Sequence, residues 1–543
     1  MSVIVLIETA GTQRYLFATS KRRETVGASG LVARLPDWGN EWSVENQEFI
    51  TLQSISGKLL VAVESEDLAR SLITHVTTRA TQHAAGLDVA GCFAACDPQD
   101  PVAVHAAIQR VHRVIGQARS LRPSPLQRHR MFPGLEPCET SGLPSSGVVS
   151  VGGNAQARRS VSSRQKLEAA SKRIDDLARM LNTHRDILNE SLRALDDENQ
   201  TGFKPVGTSG NPEDELSPTE DEPVGPGELQ RIATIHIDVN GLGILGTKQI
   251  EDARASLSDL TTIAALYREL SETVERAMRK AVEEGCHDAI AQGHPLLPIV
   301  IGGDDVTIVC KASIANSVVV NILQAFERAM TATPFGKLSA AAGICYSRRQ
   351  FPFSIAHEIA SELCASAKRI KTVLATDNAF AHASAFDAHV VLDSSPSSLA
   401  AIRDRGTFGN RLSWSGPYVV SGPVGDELEL LSDSQRKWLE LHDVALLERR
   451  IEAVNEKDVN AERCIPRGQL QSLRSEIVTG AVNSDSEFFR LLVKNHSLRA
   501  FVESSDTAKD SMWFIEPDAP TLTYKTRVID ALIHADIRQE SAK

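Results

Sequence analysis

The 543-residue chain has no closely paired cysteines, no long apolar run and no excess of basic charge. Each absence removes a class of protein. The eight cysteines, at 92, 96, 138, 286, 310, 345, 364 and 464, include no C-x-x-C pair. Most lie within apolar runs such as Val309-Cys310 and Ile344-Cys345, where cysteine behaves as a small buried hydrophobe. Neither a disulfide framework nor a cysteine zinc site is expected. No apolar run approaches the ~18 residues that a membrane-spanning helix needs. The opening Met1-Ser2-Val3-Ile4-Val5-Leu6-Ile7-Glu8 lacks a basic flank and meets a charge after five apolar residues, so it reads as a strand and not a signal peptide. Lys plus Arg number 58 against 70 Asp plus Glu, a formal charge of −12. Proteins that cover nucleic acid over a broad face are usually basic, so such contact here is expected to be local or shared with a partner. The composition, 42% hydrophobic and 24% charged, is that of a globular protein with three or four domains, expected in the cytoplasm with reduced thiols.

What is present is an alternation of strand and helix signals. Val3–Ile7 and Tyr15–Ala18 read as extended, and Phe49–Leu52 with Leu59–Val63 as a hairpin across Ser56-Gly57-Lys58. Ser65 caps a helix carrying Leu68, Leu72 and Val76, Leu87–Ala95 is a buried strand, and Pro101 opens a further helix. The order is that of a ferredoxin-like βαββαβ domain over residues 1–120. A connector over 121–197 begins Pro-rich, passes through a Gly/Ser loop and continues as one long helix, Arg164–Leu195. Its heptad of Leu167, Ile174, Leu181, Leu188 and Leu195 suits packing on its own protein better than a coiled-coil partner. Residues 198–229 are acidic and rich in Pro and Gly, a flexible linker. A second βαββαβ pattern fills 230–425. Its strand Ile232–Val239 precedes a long helix stopped at Gly285, and a hairpin pairs Leu296–Ile301 with Val306–Cys310. The strand Ser339–Tyr346, a helix over Ser354–Val373 and a closing strand Ala388–Leu392 follow. Residues 426–543 read as helical. The expected fold class is α+β, two ferredoxin-like domains with helical additions.

The strongest chemical signal is Gly302-Gly303-Asp304-Asp305 at the tip of the apolar hairpin. At ~7% usage per residue this tetrapeptide arises by chance in about 1% of chains this long, so its placement carries weight. A tight turn with solubilising carboxylates is the bland alternative, but adjacent like charges between buried strands are unfavourable without a cation. The strand before the long helix ends in Asp238-Val239-Asn240-Gly241-Leu242-Gly243. Neighbouring strands would bring Asp238 near Asp304 and Asp305, a set of oxygen donors suited to Mg²⁺ or Mn²⁺. Asn240, Gly241, Gly243, Gly302 and Gly303 would let backbone N–H groups approach a phosphate. Lys368, in Ala367-Lys368-Arg369-Ile370-Lys371, either belongs to a solvated helix face or neutralises a triphosphate.

This constellation resembles the Palm-domain polymerase-cyclase large subunit of type III CRISPR effector complexes. The resemblance is carried by Asp238–Gly243, Gly302–Asp305 and Ala367-Lys368 in the second Palm domain. In the first it is carried by Gly27-Ala28-Ser29-Gly30-Leu31, and between the two by Pro133–Cys138 with Ser141–Pro144. It implies two facing Palm domains, one with a GGDD hairpin, that convert ATP into cyclic oligoadenylates. Asp238, Asp304 and Asp305 would be catalytic, and with the Val239 carbonyl they would bind two divalent ions. Ser29 and Gly30 would seat an acceptor nucleotide. Family features not seen are a leading histidine–aspartate nuclease domain and a four-cysteine zinc module, so a compact form is expected. Ser56-Gly57-Lys58 replaces GGDD in the first Palm domain, which should lack metal chemistry. The expected function is a metal-dependent nucleotidyltransferase making oligonucleotide messengers in antiviral defence, with nucleoside triphosphates as substrates and a protein or RNA–protein effector complex as partner. A non-catalytic scaffold subunit, a diguanylate-cyclase-like enzyme and a nucleotide sensor without turnover remain as alternatives.

Overall fold

The first strand is apolar on both faces and so needs cover on both sides. Val3, Val5 and Ile7 enter one core, Ile4 and Leu6 another, and all five are buried. The computed structural model describes residues 1–19, 21–46, 48–120, 134–152, 155–196, 231–242, 259–375, 382–391, 398–457, 464–478, 484–495, 498, 512–517, 519 and 521–539. The acidic linker and Gly243 fall outside the described residues, as do 121–133 of the connector.

The first domain runs β1 (Ser2–Ala10), α1 (Thr12–Phe17), α2 (Arg22–Ala33), α3 (Leu35–Glu45), β2 (Ile50–Ile55), β3 (Lys58–Val63), α4 (Glu66–His83), β4 (Asp88–Cys96) and α5 (Pro101–Ser120). The sheet order β2-β3-β1-β4, antiparallel throughout, is ferredoxin-like. Ser65 caps α4 as its spacing predicts, accepting from the Leu68 N–H at 3.3 Å.

Two expectations for this half are corrected. Tyr15–Phe17 is helical and not extended: the Tyr15 N–H donates to the Gly11 carbonyl at 3.0 Å, and the turn buries Tyr15 and Leu16. Gly27-Ala28-Ser29-Gly30 is not a turn but the middle of α2, packed against α6 (Val161–Met180). A methyl group on Gly27 would lie 1.7 Å from the Lys166 carbonyl oxygen, and one on Gly30 would lie 3.1 Å from Arg173 Cβ. Ser29 is only 3% exposed. Close approach of α6 accounts for glycine at 27 and 30, and Ser29 is buried in the same helix rather than displayed on a turn.

The connector also departs from expectation. A hairpin, β5 (Gly147–Gly152) with β6 (Ala155–Arg159), stands where a Gly/Ser loop was expected. The long helix is two, α6 and α7 (Arg185–Leu195). Asn182 ends α6 at φ 47°, with its N–H on the Arg179 carbonyl at 3.3 Å and the Thr183 N–H on that of Ala178 at 2.9 Å. This is a Schellman stop, which asparagine tolerates. Ile174, Leu181, Leu188 and Leu195 are all buried in the protein's own core, which accounts for the heptad.

The second domain runs β7 (Arg231–Val239), α8 (Leu260–Ala291), β8 (Leu296–Gly302), β9 (Asp305–Lys311), α9 (Ala315–Thr331), β10 (Ala340–Arg348), α10 (Phe353–Ala367) and β11 (Ser384–Val390). The order β8-β9-β7-β10 repeats that of the first sheet position by position. β11 adds in parallel to β10, starting ahead of the expected Ala388, and Tyr418–Ser421 forms the edge. Gly285 does not stop α8: a methyl there would sit 2.4 Å from Ile322 Cγ1, so glycine serves the α8–α9 contact. The helix expected over Ser354–Val373 breaks after Ala367, with a short turn Ile370–Val373 beyond it.

The helices Asp433–His442, Val444–Asn455, Arg467–Val478, Ser484–Lys494 and Ile529–Gln539 follow. They are joined by two strands not expected there, Trp513–Ile515 and Tyr524–Thr526, the latter pairing with Arg411–Leu412. Leu447, Ile451, Leu473 and Phe488 share one core with the second domain. Among the described helices none is long and apolar enough to cross a membrane. All eight cysteines are free, seven of them buried.

Gly27→Ala should therefore lower stability by roughly 1–3 kcal/mol, the usual cost of overpacking. Urea unfolding measures this, and an unchanged midpoint would show that α2 and α6 can part.

Candidate active site

Alternation along β7 puts Ile235, Ile237 and Val239 into the core and leaves Thr234, His236 and Asp238 on the opposite face. The antiparallel register sets Asp238 opposite Asp305 and His236 opposite Thr307. β8 and β9 meet at a two-residue turn, Gly303-Asp304, between the paired Gly302 and Asp305. Gly303 takes φ +64° at the first central position, as a type II′ hairpin requires. The Val239 N–H donates to the Asp304 carbonyl at 3.3 Å, tying the tip to the end of the central strand. The sequence thus brings Asp238, Val239, Gly302, Gly303, Asp304 and Asp305 together as expected.

The charges are not balanced among themselves. Burial first, and then the Asp238 charge, push the Asp304 carboxyl above its ordinary pKa, with Asp305 adding to the effect and Lys368 opposing it. Lys368 follows the last residue of α10, and its Nζ forms an ion pair with Asp238 Oδ2 at 2.5 Å. Lys368 thus reaches toward the carboxylates while its side chain stays 28% exposed. Asp305 is about half exposed, yet its Oδ1 is buried without a hydrogen bond, with His236 Nδ1 at 3.3 Å.

His236 and His357 are the residues that sequence reasoning missed. His357, on α10, meets the His236 ring edge-on at 5.2 Å and places Nε2 3.2 Å from Thr307 Oγ1. Burial, then the neighbouring His236, hold His357 down at about 3, so it is a neutral packing group. Phe17, from the first domain, lies 4.4 Å from the His357 ring. The period-two pattern that places Asp238 also places His236 beside it, but nothing local identifies a helix 120 residues later.

Asn240 is 5% exposed and works as a tie. Its N–H donates to the Ser339 carbonyl at 2.8 Å, and its Nδ2 reaches Ser339 Oγ at 3.1 Å and the Ala383 carbonyl at 3.4 Å. Its buried Oδ1 has no hydrogen bond. Gly241 takes φ +73°, and among the described residues nothing lies within 4 Å of where a side chain would project.

The equivalent place in the first domain is chemically different. Glu8 stands opposite Lys58, as Asp238 stands opposite Asp305, and Arg119 pairs with Glu8. Burial lowers the Lys58 pKa against the pull of Glu8 and of Asp304, which puts the field of this lysine on the second domain's hairpin. Carboxylates do not accumulate here, as Ser56-Gly57-Lys58 predicts.

Among the described residues, no group of three or more His, Cys, Asp or Glu side chains closes on one point as a finished metal site. The donors nonetheless suit a hard divalent cation: they are carboxylate oxygens, one of them buried without a hydrogen bond, and they repel one another.

One carboxylate at the end of a central ferredoxin-like strand and two on the adjoining hairpin define a palm-type domain. Residues 231–374 match the family model described as Cas10/Cmr2, second palm domain. No curated protein matches the chain. Similar solved structures include a Csm1-Csm4 cassette in complex with cA4, at 14% identity and TM-score 0.38 over 68% of this chain and 52% of that one. Another, with pppApApA, gives 11% and 0.46 over 99% and 69%, and one with AMPPNP gives 13% and 0.42 over 93% and 66%. The chain spans about half the length of the first of these.

Replacing Asp304 by Asn removes a charge that burial and two carboxylates disfavour, so the melting temperature should rise. Lys368→Met should lower both the melting temperature and the stability, the latter by ~1 kcal/mol or less for a partly exposed pair. Thermal melts without divalent cations decide the signs, and a lower melting temperature for Asp304→Asn would refute the charge analysis.

Proposed function

We propose that the protein is a metal-dependent nucleotidyltransferase that joins nucleoside triphosphates, ATP by analogy with its family, into oligonucleotides that close into rings. The observation that supports this most is the like-charged register pair Asp238–Asp305 with Asp304 on the adjoining turn, an arrangement suited to cations. Asp238, Asp304, Asp305 and the Val239 carbonyl would hold two Mg²⁺ or Mn²⁺ ions. When bound, such ions lower the pKa of an attacking ribose hydroxyl and offset charge on the α-phosphate and the departing pyrophosphate.

The chain's own groups do the rest. Lys368, poised at Asp238, supplies a positive charge for the triphosphate once a cation satisfies that carboxylate. The open backbone at Gly241 allows close approach by phosphate. His236 orients Asp305 from beneath, and His357 holds His236. The first palm meets the hairpin tip at Ser56 and Ile55, and its own Glu8, ion-paired with Arg119, lies opposite a lysine where a cation would need a second carboxylate. A diguanylate-cyclase-like reading needs two chains to face each other, whereas here a second palm lies in the same chain. Assembly into a type III CRISPR-like effector complex, in the cytoplasm and in antiviral defence, belongs to the same proposal.

Incubation with each nucleoside triphosphate and Mg²⁺ or Mn²⁺, with products resolved by mass, tests the reading. Asp304→Ala with Asp305→Ala should reduce product at least 100-fold while leaving the fold intact, because neither carboxylate belongs to an apolar core. Mn²⁺ should raise the melting temperature of the wild type and not of this variant. Undiminished product from the double variant would refute the assignment. In the same assay Glu8→Gln should cost far less than Asp238→Asn, and equal losses would contradict a single active palm.

A further inference from the structure

The glycines of the hairpin tip have a second neighbour besides any nucleotide. A methyl group on Gly302 would lie 2.8 Å from Ser56 Cβ and 3.2 Å from Ser56 Oγ, and one on Gly303 would lie 3.4 Å from Ile55 Cδ1. Both partners belong to the β2–β3 turn of the first palm. The degenerate hairpin and the carboxylate hairpin are therefore docked tip to tip.

That turn is itself well anchored. The Thr9 N–H donates to the Gly57 carbonyl at 2.9 Å, and the Gly57 N–H donates to the Val32 carbonyl at 3.2 Å. Gly57 is wedged between Thr9 and Val32, where a side chain would come within 2.8 Å and 3.0 Å. The turn is thus fixed to β1 and to the end of α2 behind it. In front of it the tip of the carboxylate hairpin is tied to β7 by the Val239–Asp304 hydrogen bond.

We infer that Ser56 is a positioning residue for the carboxylate hairpin, and that position 302 must be glycine because the first palm sits on it. This rests on the nucleotidyltransferase reading. Ser56 touches no reacting group in this account; it sets where Asp304 and Asp305 stand. Transfer chemistry is sensitive to such placement, with a ~1 Å displacement costing on the order of 100-fold in rate. The degenerate palm would then have kept its turn as the seat of its neighbour's hairpin while losing the carboxylates.

A double-variant cycle on the full chain tests this. Gly302→Ala should lower kcat about 10- to 100-fold with little change in KM for the nucleotide, since placement and not affinity is disturbed. Ser56→Gly alone should cost less than about fivefold. Gly302→Ala combined with Ser56→Gly should recover most of the lost kcat, because the added methyl then has room. A combined variant as slow as Gly302→Ala would overturn the inference, since Gly302 would then answer to the ligand or to its own backbone. An undiminished rate in Gly302→Ala would overturn it as well. Should Gly302→Ala not fold, Ser56→Val crowds the same contact from the first palm, and a wild-type rate there refutes the claim. If the wild type makes no product from any triphosphate, the functional reading fails on its own. The same cycle is then read in melting temperature, where a loss in Gly302→Ala restored by Ser56→Gly supports the seat and independent effects of the two changes overturn it.

Discussion

Asp238 and Asp305 face each other across an antiparallel pair, and a sheet ordinarily excludes like charges directly opposite. Much of what surrounds the site answers to that one conflict. α10 ends at Ala367, and the next residue, Lys368, reaches Asp238. His236 Nδ1 lies 3.3 Å from Asp305 Oδ1, and Lys58 of the first palm feels the charge of Asp304. None of these neighbours removes the repulsion on Asp304, whose carboxyl remains harder to ionise than usual. A polypeptide retains such an arrangement where something outside the chain completes it.

The two sheets share one strand order, so the same position can be read in both. In the first it holds Glu8 opposite Lys58, charges of opposite sign, with Arg119 ion-paired to Glu8. In the second it holds two carboxylates. The difference between a finished structural pair and an unfinished chemical one comes down to the first residue of the hairpin's second strand, Lys58 against Asp305.

Features set by local rules were readable from the sequence. Period-two alternation and a two-residue turn located the carboxylates, and a serine at the right spacing located the start of α4. The failures share another cause. Gly27, Ser29 and Gly30 have turn-like composition, yet they are small because α6, some 140 residues later, passes over them. Gly285 has the composition of a helix stop and is small for α9. His357 approaches from a helix far along the chain, and no nearby residue announces it. In each case a side chain was chosen by a neighbour in space, while sequence pattern reports only neighbours in order.

α8 belongs to both palms at once. Leu260, Ile263 and Ala264 at its start are buried with α5 and the outer face of the first sheet, while Val274, Met278, Val282 and Cys286 are buried in the second core. At 32 residues it is a rod of roughly 48 Å at 1.5 Å per residue. No cut along this helix separates two complete hydrophobic cores, since either fragment would carry an orphaned apolar stripe. The palms are therefore domains in topology but a single body in thermodynamics: melting one uncovers the other, and neither can be lost or exchanged as a self-sufficient module.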